Sequence, residues 1–324
     1  MNGKALKRIF TRLVHERYFC APDYIVNYLF CVREAASSSL LPSINFQSAF
    51  AQTDTPMSED GSNNNNINNN SIAYSYNIYK NNNNTQEVPI RLHNSSVNYY
   101  DNTTGYLVYP ELANNTQQQQ ELMPAIIIIH EWWGLNEHIK NQADILAKEG
   151  YVVLAVDLYG GEVATDFNRA MDLASSVRSN SATAVDNLQS AVNYIKSLEM
   201  VDGSRIASLG WCFGGDWSLQ LALNSSENPL AATVIYYGRP VTDSASLSSI
   251  DWPILGIFGD QDQAISVESV KQFTSALNAS GITNEIYLYE GVGHAFANPS
   301  GDNYAPKETA DAWQKAMAFL RQYL

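Results

Sequence analysis

The spacing of apolar and polar positions changes character near Val88. From there to Leu324, short apolar runs alternate with stretches of helical period. The runs are Pro124 to Ile129 (PAIIII), Tyr151 to Val156 (YVVLAV), Arg205 to Leu209, Ala231 to Tyr236, Pro253 to Phe258 and Glu285 to Tyr289. Their lengths and β-branched content suit strands buried on both faces of a parallel sheet. Between them the spacing predicts a helix over Asn136 to Lys148, with Ile139, Ala143, Leu146 and Ala147 on one face and Gly150 at its end. Further helices are predicted near Asp166 to Val177, Thr183 to Leu198, Phe213 to Leu223, Val267 to Asn278 and Pro306 to Tyr323. Strands that alternate with helices of this length imply an α/β fold, a mostly parallel sheet with helices on both faces. In such sheets ligands bind beyond the carboxyl ends of the strands. Those loops are where chemistry is sought.

The first 87 residues follow no such pattern. Residues 52–87 include Gly61 to Asn70 (GSNNNNINNN) and Asn81 to Asn84. Asn-rich sequence buries too little apolar surface to offset chain entropy, so this stretch is expected to be a disordered spacer. Residues 1–51 carry a basic start (Lys4, Lys7, Arg8, Arg12), the apolar run Tyr24 to Val32, and Ala49-Phe50-Ala51 before Gln52. That order reads as an export signal cleaved after Ala51. The run contains Asn27, precedes Arg33 and Glu34, and is too short to span a bilayer. A cytoplasmic extension is the alternative. The sequence therefore divides into a targeting segment at 1–51, a spacer at 52–87 and a globular domain at 88–324.

Two bulk properties narrow the chemistry. Against 19 Lys and Arg stand 33 Asp and Glu, a formal charge of −14, which argues against a nucleic-acid or anionic-membrane partner. Of the three cysteines, Cys20, Cys31 and Cys212, cleavage after Ala51 leaves only Cys212. A lone thiol in an exported protein has no disulfide partner and is either a buried filler or a reactive group.

Cys212 lies in Gly210-Trp211-Cys212-Phe213-Gly214-Gly215, between a strand and a helix. This is the setting of a nucleophile elbow, with Cys where Ser is usual. Its glycines let strand and helix approach, and the helix N-terminus favours a thiolate and an oxyanion. The strand ending at Phe258 leads into Gly259-Asp260-Gln261-Asp262, and the one ending at Tyr289 into Glu290-Gly291-Val292-Gly293-His294. An acid and then a histidine thus follow the nucleophile, each at a strand's carboxyl end, in the order this fold uses. The residues alone leave Asp260 and Asp262 both open; Asp262 stands further from its strand, where a loop can turn it toward His294. Two backbone donors are needed for the oxyanion. Phe213 N–H and Trp132 N–H, the latter from the loop His130-Glu131-Trp132-Trp133-Gly134, are the candidates.

With Val156-Asp157-Leu158-Tyr159, these motifs resemble the dienelactone hydrolase (carboxymethylenebutenolidase) family of α/β-hydrolases over residues 96–324. The resemblance implies a Cys-His-Asp triad of Cys212, His294 and Asp262. It also implies that Glu131 interacts with the cysteine and helps to activate it. His130-Glu131 does not begin a zinc HExxH site, because position 134 is Gly. No metal or organic cofactor is implied. The chain departs from the family after the histidine. Dienelactone-cleaving members carry an arginine there, whereas this stretch reads Ala295-Phe296-Ala297-Asn298; Arg169 is a candidate for another substrate-binding arginine. Trp133, Tyr159 and Trp211 are candidates for an apolar substrate pocket. The expected activity is hydrolysis of a small-molecule carboxylic ester or lactone through a thioester. A thiol peptidase is a rival, and so is an inactive surface or binding protein of the same fold, against which the complete triad argues.

Overall fold

The computed structural model describes residues 90–111 and 121–324; the targeting segment and the spacer lie outside the described residues. Among the described residues eight strands form one sheet in the order β1-β2-β4-β3-β5-β6-β7-β8. They are β1 (Leu92–Tyr100), β2 (Thr103–Pro110), β3 (Met123–Ile129), β4 (Val152–Val156), β5 (Val201–Trp211), β6 (Ala232–Tyr236), β7 (Ile254–Gly259) and β8 (Asn284–Tyr289). From β4 to β8 every neighbouring pair is parallel, and β1 and β2 add an antiparallel hairpin at one edge.

Among the described residues the helices are α1 (Glu137–Lys148), α2 (Phe167–Ser179), α3 (Ser181–Lys196), α4 (Phe213–Leu223), the single turn α5 (Ser244–Leu247), α6 (Val267–Ala279) and α7 (Pro306–Tyr323). Successive strand residues point to opposite faces, and β3 shows the result. Ile126 and Ile128 pack with α1 and α7 on one side, while Ile127 and Ile129 join the core beneath α2, α3, α4 and α6 on the other. A strand buried on both faces must be apolar throughout. This is why β3 and β4 read as unbroken runs.

Two features depart from the expected elements. The hairpin β1–β2 was not predicted, because Leu92-His93-Asn94-Ser95-Ser96-Val97 is polar at most positions and its strand is largely exposed. It is anchored by Tyr99, whose buried hydroxyl accepts the Asp157 N–H at 3.0 Å and donates to Asn187 Oδ1 at 2.8 Å. Strand β5 begins at Val201, earlier than expected. Val201 pairs with Met123, the chain bulges through Asp202 and Gly203, and regular pairing resumes at Ile206. The bulge is held by Asp202, which accepts the Ser204 N–H at 3.0 Å.

Candidate active site

The carboxyl ends of β3, β4, β5, β7 and β8 bring the expected residues together. Cys212 follows β5 directly and caps α4, with φ 55° and ψ −117°. That left-handed backbone is costly for a residue with a Cβ. It is held by the Cys212 N–H, which donates to Tyr236 O at 3.0 Å. It also requires glycine neighbours. A Cβ on Gly210 would collide with the Gly214 carbonyl, and one on Gly214 with the Ile129 carbonyl. Tyr237 (φ 37°), directly after β6, and Ala295 (φ 60°), in the loop after β8, share this backbone region. Three of the four non-glycine residues with positive φ among the described residues thus sit around the same site.

His294 Nε2 lies 3.0 Å from Cys212 Sγ, and its Nδ1 lies 2.7 Å from Asp262 Oδ2. The Asp262 side chain is fully buried, and its other oxygen accepts N–H groups from Ala264 at 2.7 Å and Ile265 at 3.0 Å. These bonds fix the carboxylate and, through it, the imidazole. Asp260 does different work: it accepts the Gly291 N–H at 2.7 Å and lies on the turn surface. Burial draws the His294 pKa down, but the hydrogen bonds to Asp262 and Cys212 and their charges outweigh it and push the pKa up to about 11. The ring is therefore held as an imidazolium beside the sulfur, with the positive charge of a helix N-terminus behind it.

Glu131 is buried, and burial raises its carboxyl to about 7 against the opposing pull of His294 and Asn298. Its hydrogen-bond partner is Asn298, whose Nδ2 lies 2.5 Å from Oε2. The carboxyl bonds this amide, while the contact to the cysteine sulfur comes from His294. The expected contact between Glu131 and the cysteine is thus not made in this arrangement. Trp132 N–H has no hydrogen-bond acceptor among the described residues. Phe213 opens α4, where N–H groups lack helical partners.

Aromatic rings line one side of this site. Trp132 packs edge-on against Trp133 and the exposed Phe167, each at 5.1 Å, and Tyr159 donates its hydroxyl to Trp132 O at 3.1 Å. Trp211 is not part of this group. Strand alternation sends its ring to the α1–α7 side, where it packs against Tyr236 at 5.7 Å. Arg169 is spent on an ion pair with Glu162 at 2.5 Å on the surface. A cation that the sequence did not single out stands closer: Arg178 lies over the Phe213 ring at 5.4 Å and pairs with Asp216 at 3.2 Å. Asn298 was likewise not among the candidate site residues, and its place four residues after His294 was the one signal available.

A mostly parallel sheet that gathers such residues at its strand ends defines the α/β-hydrolase class. The similarity to known proteins is more specific. Residues 111–324 match the dienelactone hydrolase family, and the chain belongs to it. Protein usf of Aquifex pyrophilus is 30% identical over 206 residues, covering 62% of this chain and 89% of that protein. A protein of Aquifex aeolicus (strain VF5) named "Putative carboxymethylenebutenolidase" is 28% identical over 225 residues, covering 68% of this chain and 93% of that one. Among solved structures, the one titled m3DLH superposes with a TM-score of 0.64 at 23% identity, over 72% of this chain and 99% of that chain. Membership of this family makes the protein a hydrolase.

Proposed function

We propose that the protein hydrolyses carboxylic esters or lactones of small molecules, with Cys212 as nucleophile, His294 as acid and base, and Asp262 as the group that orients it. The observation that carries this reading is the continuous contact from sulfur to imidazole to buried carboxylate, 3.0 Å and then 2.7 Å. The Cys212 thiolate adds to the carbonyl carbon, and the tetrahedral oxyanion takes hydrogen bonds from Phe213 and Trp132 N–H. As the intermediate collapses, the carbon–oxygen bond breaks and His294 Nε2 gives its proton to the leaving alkoxide. The acyl group is left as a thioester on Cys212. Water then attacks that thioester, its proton passes to His294, and the carbon–sulfur bond breaks to return thiolate and release the acid.

Glu131 is assigned the activation of Cys212: when the sulfur carries a proton, the Glu131 carboxylate accepts it, leaving the thiolate and a neutral carboxyl. A buried carboxyl that titrates near neutrality suits a group that takes and returns a proton at physiological pH. This step requires the carboxyl to leave Asn298 and turn toward the sulfur. The aromatic wall of Trp132, Trp133, Tyr159 and Phe167 suits an apolar acyl or alcohol portion.

The reading is tested on activated esters and lactones. Cys212→Ala is expected to lower kcat/KM by about 10⁴-fold or more. Intact-mass spectrometry of the wild-type protein, quenched during turnover, is expected to show one acyl group that is absent from the variant. An alanine variant with wild-type turnover would sink the assignment.

A further inference from the structure

His130 has no part in the steps above, yet it is completely buried and every polar atom of its ring is used. The Leu158 N–H points at its Nε2 at 3.1 Å. A backbone N–H can only donate, so Nε2 must offer a lone pair and the ring proton must sit on Nδ1. Burial also lowers the His130 pKa and keeps the ring neutral. Nδ1 lies 2.6 Å from the carbonyl oxygen of Glu131, and it therefore donates to that carbonyl.

This carbonyl belongs to the peptide unit whose N–H is that of Trp132. No peptide bond among the described residues is cis, and in a trans unit C=O and N–H point in opposite directions. Fixing the Glu131 oxygen toward His130 therefore turns the Trp132 N–H away from it, where it meets no protein acceptor. The same oxygen accepts Gly134 N–H at 3.1 Å, so the plane is held from two directions. Tyr159 fixes the next unit through Trp132 O at 3.1 Å. The His130 ring also stacks on Phe213, with centroids 5.7 Å apart and planes 13° apart. One side chain thus touches both segments that carry the oxyanion donors.

We infer that His130 is a positioning residue of the oxyanion hole: its neutral Nδ1–H tautomer holds the Glu131–Trp132 peptide plane so that Trp132 N–H is presented to the reacting carbonyl. The inference rests on the catalytic reading given above. Donation to the carbonyl also polarises the amide and strengthens its N–H as a donor.

Two substitutions separate the ring's two bonds. In His130→Asn the side-chain amide N–H stands where Nδ1–H was and keeps the bond to Glu131 O. In His130→Gln the amide oxygen takes the place of Nε2 and keeps only the bond from Leu158. Both lose the stack on Phe213. Expected is a kcat on an activated ester about 10²-fold below wild type for His130→Gln, the effect of losing one oxyanion donor, with His130→Asn within about fivefold of wild type on the same scale. Alkylation of Cys212 by iodoacetamide, which develops no oxyanion, is expected to proceed at the wild-type rate in both. Equal kcat in the two variants, or alkylation that falls in parallel with kcat, overturns the inference. Full ester turnover by Cys212→Ala would instead bring down the catalytic reading beneath it.

Discussion

Glu131 shows how burial sets the behaviour of a single residue. In the unfolded chain its carboxyl releases a proton near its ordinary value of 4.5, whereas in the folded chain burial holds the proton up to about 7. The folded state therefore binds more protons between these values. The stability that this protonated carboxyl contributes is full below pH 4.5 and is lost progressively as pH rises through 7. Glu131→Gln keeps the shape and the capacity to bond Asn298, so the part of the pH dependence that comes from this carboxyl is expected to vanish from its chemical denaturation midpoint across that window. At pH 8 it should exceed the wild type by up to about 3 kcal/mol. The same substitution should remove the acid limb near pH 7 from the kcat/KM profile and lower its plateau by about 10²-fold. Unchanged stability and an unchanged profile would mean that the carboxyl is already ionised in the fold. None of this was legible from sequence. The residues alone placed Glu131 only in the loop after a strand and its role came from the family resemblance, since burial belongs to the packed structure.

Elements that meet at the elbow explain why glycine occupies Gly210 and Gly214. Strand β5 enters the turn and α4 leaves it at such close quarters that a Cβ at either position meets backbone that cannot step aside. Gly214→Ala pushes on the end of β3, the strand that leads into His130 and Glu131. It is expected to destabilise the fold by about 1–3 kcal/mol as an overpacked site and to lower kcat more than KM, because strand and loop shift together. A fully active variant of unchanged melting temperature would show that the contact can relax. At this scale much was readable. The spacing identified six strands and six helices, and Phe213–Leu223 and Pro306–Tyr323 begin and end where expected. The hairpin β1–β2 was not readable, since an edge strand that is wet on most positions carries no apolar run to find.

For the whole molecule, the sheet order determines which residues meet. Cys212 follows the central strand β5, Asp262 follows β7 and His294 follows the edge strand β8. The three are 50 and 32 residues apart in sequence and converge only because β5 to β8 run parallel and end on the same side. No described helix is long and apolar enough to cross a membrane. The export reading of residues 1–51 predicts that natively expressed protein begins at Gln52. N-terminal mass spectrometry checks this, and an intact Met1 would favour the cytoplasmic extension.

The sequence by itself determined the alternation of buried strands and helices, the glycine-flanked turn around Cys212 and the order cysteine, aspartate, histidine, each after a strand. These follow from local facts: apolar period, glycine at a sharp turn, and the position of each residue after a strand. Tertiary structure decided the rest. It resolved Asp262 from Asp260, turned Trp211 away from the aromatic wall, committed Arg169 to Glu162, and gave Glu131 to Asn298 and the Glu131 carbonyl to His130. Each of these depends on a direction or a depth of burial fixed by partners far along the chain, and one-dimensional spacing carries neither.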